Sequence, residues 1–366
     1  MSVAVLVNLH ARHGSASVGR RIQTILPRAR VAVTSSLDEA RAWVGDVLAR
    51  EHPTVLLSGG GDGTAVALLN EIRAARIEVP AFGLLPFGTG NGWARATGVR
   101  GVGAALRGLA DLREGEVPSL RDFSLVETEG RVTPFAGTGW DAEILADYKK
   151  MIDALPREAR EASGGTAGYF RSMFTRTIPR HLRGGDRPNV RVRNLGAPAL
   201  AIDDNGEPVP VPGGGEGAIL YEGPISVGGA ATTEQLGLGF RAFRFAHRVP
   251  GRMAVRVYAA STLHATLRMP WLWRGAHPLP HDHNWLLTHC RMDFDRPVPF
   301  EIGGDLAGDR TSIELRIADE GVPIVDWQAL RARAALPCGE DWTPPVTSRT
   351  LSRPVPPRRA PLLLAR

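Results

Sequence analysis

The stretch TVLLSGGGDGTAVALL at residues 54–69 constrains this chain more than any other, because it demands a strand, a tight turn and a helix in quick succession. The apolar run Val55 to Leu57 has the character of a buried strand. From Thr64 to Arg76, Leu68, Leu69, Ile72 and Ala75 recur on one helical face. Between the two, Gly59, Gly60, Gly61 and Gly63 surround Asp62. A strand that ends in glycines ahead of a helix lets backbone N–H groups approach a phosphate, and the helix start adds partial positive charge. A Cβ in the turn would hold the phosphate off, hence glycine. Asp62 would repel a phosphate if it pointed inward unpaired. Its carboxylate therefore needs a task, such as holding Mg²⁺ through water or orienting a hydroxyl. The plainer alternative is a strand-to-helix turn with Asp62 as the helix cap.

A second element, PFGTGNGWAR at 86–95, repeats the physics with Gly88, Thr89, Gly90 and Asn91 between a strand end and a helix start. Alone it would be an Asn-capped helix. Paired with the first, it puts two polar glycine turns side by side at the strand ends, where open α/β sheets bind ligands. The flanking pattern agrees. VAVLVNL (3–9), TVLLS and AFGLLP (81–86) are predicted strands. SLDEARAWVGDVLAR (36–50), NGWARAT (91–97) and GAALRGLADLR (103–113) are predicted helices, the first opened by a Ser36/Glu39 capping box. Strand–helix alternation predicts a mostly parallel sheet with helices on both faces.

The pattern changes near residue 121. RDFSLVETEGRVTPFAG alternates around Glu129-Gly130, and NVRVR, GRMAVRVYAA, VPFEIGG and TSIELRIA follow as short strands between Gly/Pro turns. These predict a β-sandwich, interrupted by one helical segment, GYFRSMFTRTIPRHLR (168–183). The expected division is an α/β domain at 1–120, an all-β sandwich at 121–335 and a disordered Pro/Arg-rich tail at 336–366.

Composition narrows the partners. Net charge is +6 and nearly all of the positive charge is arginine, since Lys149 and Lys150 are the only lysines. Arginine suits bidentate phosphate contacts, so anionic partners are expected, although a compositional Lys-to-Arg bias explains the count equally well. The basic tail is the only argument for nucleic acid, and no recognition motif supports it. Cys290 and Cys338 make no disulfide framework, which fits a reducing compartment. The first residues lack a signal-peptide layout, and no apolar run approaches a membrane span. The expectation is a cytoplasmic protein that at most touches the inner face of a membrane.

GGDGT followed by P-x-G-T-x-N-x-x-A-R resembles the catalytic domain of the diacylglycerol and sphingosine kinases, the soluble lipid kinases. VNLHARHGSA is similar to the family's first loop and maps its nucleotide-binding Asn to Asn8, with Leu9 in place of the usual Pro. AGTGWDAEI resembles a G-x-G-x-D-A segment and maps to Asp141, while Asp122 falls where an acid opens the family's second domain. The resemblance is dense over residues 1–145 and traceable to about 325. It implies a Rossmann-like open sheet of the NAD kinase and phosphofructokinase type followed by a β-sandwich, with the site in the cleft between them. It implies transfer of the ATP γ-phosphate to a lipid hydroxyl, with Mg²⁺. Gly60, Gly61, Asp62, Gly63 and Thr64 would wrap the phosphates, with Asp62 at the metal or the transferring group. Asn8, Gly88, Thr89 and Asn91 would complete the nucleotide side, and Asp122 and Asp141 would position the acceptor.

The chain departs from this pattern on its acidic side. In PFEIGGDLAGD (299–309), Gly303-Gly304-Asp305 stands where the family has D-G-E, so the general base falls to Asp305, with Asp309 and Glu301 as substitutes or Asp305 a plain turn acid. Pro250 stands where an acid precedes Gly251, and Gly92 replaces a frequent Asp. These losses keep two alternatives open: a non-catalytic lipid- or nucleotide-binding pseudokinase, and a kinase of a non-lipid hydroxyl acceptor such as NAD. Three other features have ordinary explanations beside functional ones. The arginines of 168–183 suit a membrane-surface helix, a lid or a solvated helix face. MPWLWRGAHPL (269–279) has the character of a Pro-bounded aromatic loop. His277, His281, His283 and His289 form a polar loop more readily than a metal site.

Overall fold

The computed structural model describes residues 2–112, 118–156, 165–183 and 187–334. The expected tail at 336–366 lies outside the described residues.

Four strands build the first sheet in chain order: β1 (Val3–Asn8), β2 (Arg30–Thr34), β3 (Val55–Gly60) and β4 (Ala81–Pro86). They pair in parallel in the order β2-β1-β3-β4. Every residue of β3 and β4 is buried, as expected of strands covered on both faces. Alternate residues serve the two faces. Ala4, Leu6 and Leu56 pack on one side with α2 (Leu37–Arg50), α3 (Asp62–Ala74) and α4 (Gly92–Ala96). Val5, Val7 and Leu57 pack on the other with α1 (Ala16–Ile25) and α5 (Val102–Leu112). Helix α1 and strand β2 were not legible in the sequence, because α1 buries only Gly19 and Ile22 and β2 only Thr34.

The second region is antiparallel. Its strands are β6 (Val126–Thr128), β7 (Arg131–Thr133), β8 (Phe135–Gly139), β9 (Asn189–Asn194), β10 (Leu200–Ile202) and β11 (Pro208–Pro210). They continue as β12 (Ile219–Pro224), β13 (Val227–Ala231), β14 (Met253–Tyr258), β15 (Asp282–Leu287), β16 (His289–Ile302) and β17 (Asp305–Ile317). The register of β16 shifts between Asp293 and Val298. Its first half pairs with β9 and its second half with β8. Val192, Val255, Met292, Phe300 and Ile313 from different limbs of this twelve-stranded sheet share one core.

Five helices sit on this sheet among the described residues, the segment the sequence predicts among them. They are α6 (Trp140–Asp153), α7 (Gly165–Ser172), α8 (Ile178–Leu182), α9 (Thr262–Leu267) and α10 (Met269–Trp273). The predicted helix at 168–183 is α7 and α8 joined by a wide π turn at Met173–Thr177. That turn precedes Pro179, which has no N–H to give to the preceding turn. The Trp271/Trp273 segment, expected as a loop, is α10; a five-residue helix is too short to show a period.

The chain crosses between the two regions twice. Strand β5 (Leu120–Phe123) and the late strand β18 (Val322–Val325) both belong to the first sheet, with β18 between β4 and β5. Helix α11 (Trp327–Ala334) then packs through Trp327 on the α5 face. Residues 322–334, counted from sequence with the second region, thus complete the first. Asn70 of α3 clamps the regions together: its Nδ2 donates to the Val132 carbonyl and its Oδ1 accepts the Val132 N–H, both at 2.8 Å.

Gly139 is the joint from which β8 turns into α6. Its φ is +86°, and a Cβ there would stand 2.2 Å from the Ser226 carbonyl oxygen. Gly139→Ala should therefore cost at least about 2 kcal/mol of stability, measured by urea unfolding. A cost within a few tenths would mean that the joint is not constrained.

Candidate functional site

The C-terminal ends of β1, β3 and β4 lie side by side, so the loops that follow them meet. Phe87 and Gly88 both donate their N–H to the Gly60 carbonyl, at 3.0 and 2.9 Å. A Cβ on Gly88 would fall 2.3 Å from the Gly61 Cα, so the two glycine turns touch backbone to backbone. Gly61 caps α3 without a side-chain bond, which leaves the first-turn N–H groups of a thirteen-residue helix available to another partner. Asn8 Nδ2 donates to Thr64 Oγ1 at 2.9 Å and ties the β1 loop to that same turn.

Asp62 begins α3, but its carboxylate serves the neighbouring helix. Oδ2 accepts the Gly92 N–H at 2.7 Å and Oδ1 the Trp93 N–H at 3.1 Å. Burial pushes its pKa up to about 6, against the pull of the Gly92, Trp93 and Ala94 N–H groups and the Arg95 charge. The capping alternative thus takes another form: Asp62 caps α4 instead of its own helix. Asn91 holds a φ of +53°, and its side chain folds back onto Gly88, accepting its N–H at 2.9 Å and donating to its carbonyl at 2.6 Å. Trp93, packed between Phe82 and Phe123 with ring centroids 6.0 and 5.9 Å away, anchors α4 below.

These turns open onto a cavity of about 320 Å³ between the two regions. Asp62, Gly63, Thr89, Gly90 and Asn91 form its polar end, and Ile144, Met173, Leu236, Phe240, Leu272 and Trp273 line much of the rest. Asp141 and Glu301 project into it as a joined pair. The Tyr169 hydroxyl donates to Asp141 Oδ1 at 2.9 Å, and Glu301 is hydrogen-bonded to Asp141. Glu301 is only 3% exposed. Burial holds its carboxyl well above the usual range; the charges of Asp141 and Asp305 add to this and Lys149 opposes it. Burial and its acidic neighbours thus favour the protonated form of Glu301, with Asp141 as its hydrogen-bond partner.

Asp305 stands apart from this pair. It is the half-exposed first residue of β17, 3.4 Å from Lys149 Nζ, and its Oδ2 would lie 2.9 Å from a Cβ on Gly63. That places it over the α3 N-terminus but off the cavity wall. Gly303 has a φ of +61°, and a Cβ there would meet Val66 at 2.8 Å and Thr133 at 2.9 Å. An acid at Gly303 therefore has no room in this packing. Asp122 is not brought to the site. It is exposed on β5, against Gly321, and does not line the cavity.

Two contributors were not picked out from sequence. Tyr169 reads there only as an apolar helix position. Arg256 lies in an all-buried strand, forks onto Asp282 at 2.7 and 3.0 Å, and closes one side of the cavity. Among the described residues no three His, Cys, Asp or Glu side chains are grouped to hold a metal. The histidines of the 277–289 cluster make ordinary bonds, His277 to the Asp203 carbonyl and His289 to Glu314.

Residues 2–119 match the family described as the diacylglycerol kinase catalytic domain. A probable lipid kinase YegS-like protein of Pseudomonas aeruginosa is 34% identical over 160 residues, covering 42% of this chain and 46% of the relative. One of Pseudomonas fluorescens is 31% identical over 153 residues, covering 38% and 48%. The chain thus spans about half the length of these curated relatives. In fold, it is similar to the crystal structure of a diacylglycerol kinase from Bacillus anthracis, with TM-score 0.60 and 13% identity over 90% of this chain and 98% of that one.

The pairing of Glu301 with Asp141 has a measurable consequence. A carboxyl whose folded pKa is raised stabilises the fold in full below its unfolded pKa, near 4.5. That contribution is lost as the pH rises above it, because the unfolded chain releases a proton the folded one keeps. Glu301→Gln retains a donor for Asp141 and does not titrate. Its stability relative to the parent, read by urea unfolding, should rise from pH 5 to pH 8. Parallel profiles would show that Glu301 ionises in the fold as it does in the unfolded chain.

Proposed function

We propose that this chain, whose residues 2–119 match the diacylglycerol kinase catalytic domain, is an ATP-dependent lipid kinase, transferring the γ-phosphate to a hydroxyl of a lipid held in the cavity. One observation carries the reading: an uncapped helix N-terminus, cradled by two touching glycine turns, opens directly onto a largely apolar chamber with carboxylates at the junction. An anion suits the first and an acyl chain the second.

In this reading the N–H groups at Gly61 to Thr64 hold the phosphates, with Asn8 setting Thr64 and with Gly88, Thr89 and Asn91 forming the facing wall. The nucleotide fits this donor set. A protein-held Mg²⁺ fits less well, since both Asp62 oxygens already accept N–H groups and no metal-binding cluster stands nearby among the described residues. The ion, which would neutralise phosphate charge, would be held chiefly by phosphate oxygens and water. Asp141, fixed by Tyr169 and Glu301, orients the polar head of the acceptor. Asp305, over the α3 N-terminus, takes the hydroxyl proton as the acceptor oxygen bonds to phosphorus and the bond to the ADP oxygen breaks. Asp62 acts as a positioning residue, holding the second glycine turn against the first.

The binding-protein alternative draws on one observation as well: Asp305 is held by Lys149 outside the cavity wall, with a glycine where an acid would precede it. The deciding experiment follows labelled γ-phosphate from ATP and Mg²⁺ into diacylglycerol, monoacylglycerol, ceramide and sphingosine in mixed micelles. A labelled lipid is expected. No product from protein that binds ATP would favour the binding-only reading or a non-lipid acceptor such as NAD.

On the productive lipid, Asp305→Ala should lower kcat by about 10²–10⁴-fold with the circular dichroism spectrum unchanged. An unaltered rate would remove Asp305 from the mechanism. Asp62→Asn should lower the rate on the order of a hundredfold through a displaced turn, and full activity would show that the turn holds without the carboxylate.

A further inference from the structure

Large apolar side chains that stay in water mark surfaces awaiting a partner when they cluster. Among the described residues, the five most exposed are Leu267 (64%), Leu263 (58%), Phe174 (56%), Trp271 (55%) and Leu182 (54%). All five lie on two helical segments, α7 through α8 and α9 through α10. The segments pack side by side, α8 against α9. Their inward faces share one core, with Met173 and Ile178 from the first and Ala265 and Leu272 from the second. The exposed side chains are therefore the outer face of a single layer.

The charge of that layer has one sign. Neither 165–183 nor 261–274 contains an acidic residue, whereas Arg171, Arg176, Arg183 and Arg274 stand exposed among the apolar side chains. Arg180 is occupied by Glu143 and Asp147 on α6 and leaves the patch to the others. The layer is also the wall of the cavity, for Tyr169, Met173, Met269, Leu272 and Trp273 line it from within.

We propose that this helical layer is the face by which the chain docks on an anionic lipid bilayer, with Phe174, Leu267 and Trp271 in the acyl boundary and the arginines at the headgroups. An outward apolar face rimmed by arginine is the chemistry of an interfacial helix. Docked this way, the cavity would be separated from the bilayer by the thickness of one helical layer, so a lipid could pass from one to the other without crossing water. The proposal goes beyond the transfer reaction and is tested without it.

The full chain is floated with vesicles of phosphatidylcholine alone, or with phosphatidylglycerol added, at low and high salt and without nucleotide. Binding that needs the anionic lipid and weakens with salt is expected. Leu267→Ser combined with Trp271→Ser should lower partitioning at least tenfold, and Arg176→Gln with Arg183→Gln should reduce the preference for the anionic vesicles. Val209→Ser, an exposed apolar residue on β11, should change nothing. Four results would overturn the proposal. The chain could fail to bind anionic vesicles, bind neutral ones equally well, or bind undiminished in the Leu267/Trp271 variant. It could also sediment as a dimer that this same variant splits, which would assign the face to a second copy of the chain.

Discussion

The carboxylate of Asp62 reaches from the start of one helix to the start of the next, and the shape of the site depends on it. Glycine turns have no side chains with which to hold each other, and their backbone freedom is the largest of any residue. Here the two turns approach so closely that a Cβ on Gly88 would strike Gly61. What holds them is a charge placed at a helix N-terminus, where N–H groups and dipole both favour it, with Asn91 closing the turn onto itself. The same carboxylate stays half-buried at the polar end of the cavity. Its raised pKa reflects the tension between a dry setting and three polar N–H groups.

The remaining acids divide by environment. Glu301 is hydrogen-bonded to Asp141 in the apolar chamber, where burial and the Asp141 charge both hold its carboxyl above the usual range. Asp305, four residues beyond Glu301 on the same hairpin, is half-exposed and paired with a lysine. It faces water and the start of α3, outside the chamber. The hairpin thus carries one acid into the chamber and holds the other outside it.

Much of this was legible in the sequence because it rests on local rules. The β3 and β4 turns announce themselves through continuous apolar strands, glycines at fixed places and helical periodicity after them. The antiparallel second region followed from short alternating segments; Thr89 and Asn91 line one end of the cavity, while Gly88 is held by Asn91 and Asn8 bonds Thr64. What was hidden depends on long-range packing. Strand β18 is four residues with a proline, Val-Pro-Ile-Val, and nothing local marks it as part of a sheet begun at Val3. The link between Tyr169 and Asp141 joins two helices whose relation only the fold supplies. Asp122, matched by position alone, lies on an edge strand away from the cavity. The aromatic segment at 269–273 gave no period because the helix is barely a turn long.

The placement of β18 bears on how the molecule can come into being. The strand sits inside the first sheet, between β4 and β5, and is contributed after roughly two hundred intervening residues, a loop whose closure carries a real though slowly growing entropic cost. As the chain emerges from a ribosome, β1 to β4 can assemble early, but the edge of β4 stays unpaired until nearly all of the described sequence has appeared. The end with the two glycine turns would then be shaped first and the sheet beneath it sealed last, with the β-rich region folded in between as an insertion. An unpaired parallel edge of that kind is a template for wrong partners, so the interval before β18 arrives is when a nascent copy of this protein is most exposed to misassembly.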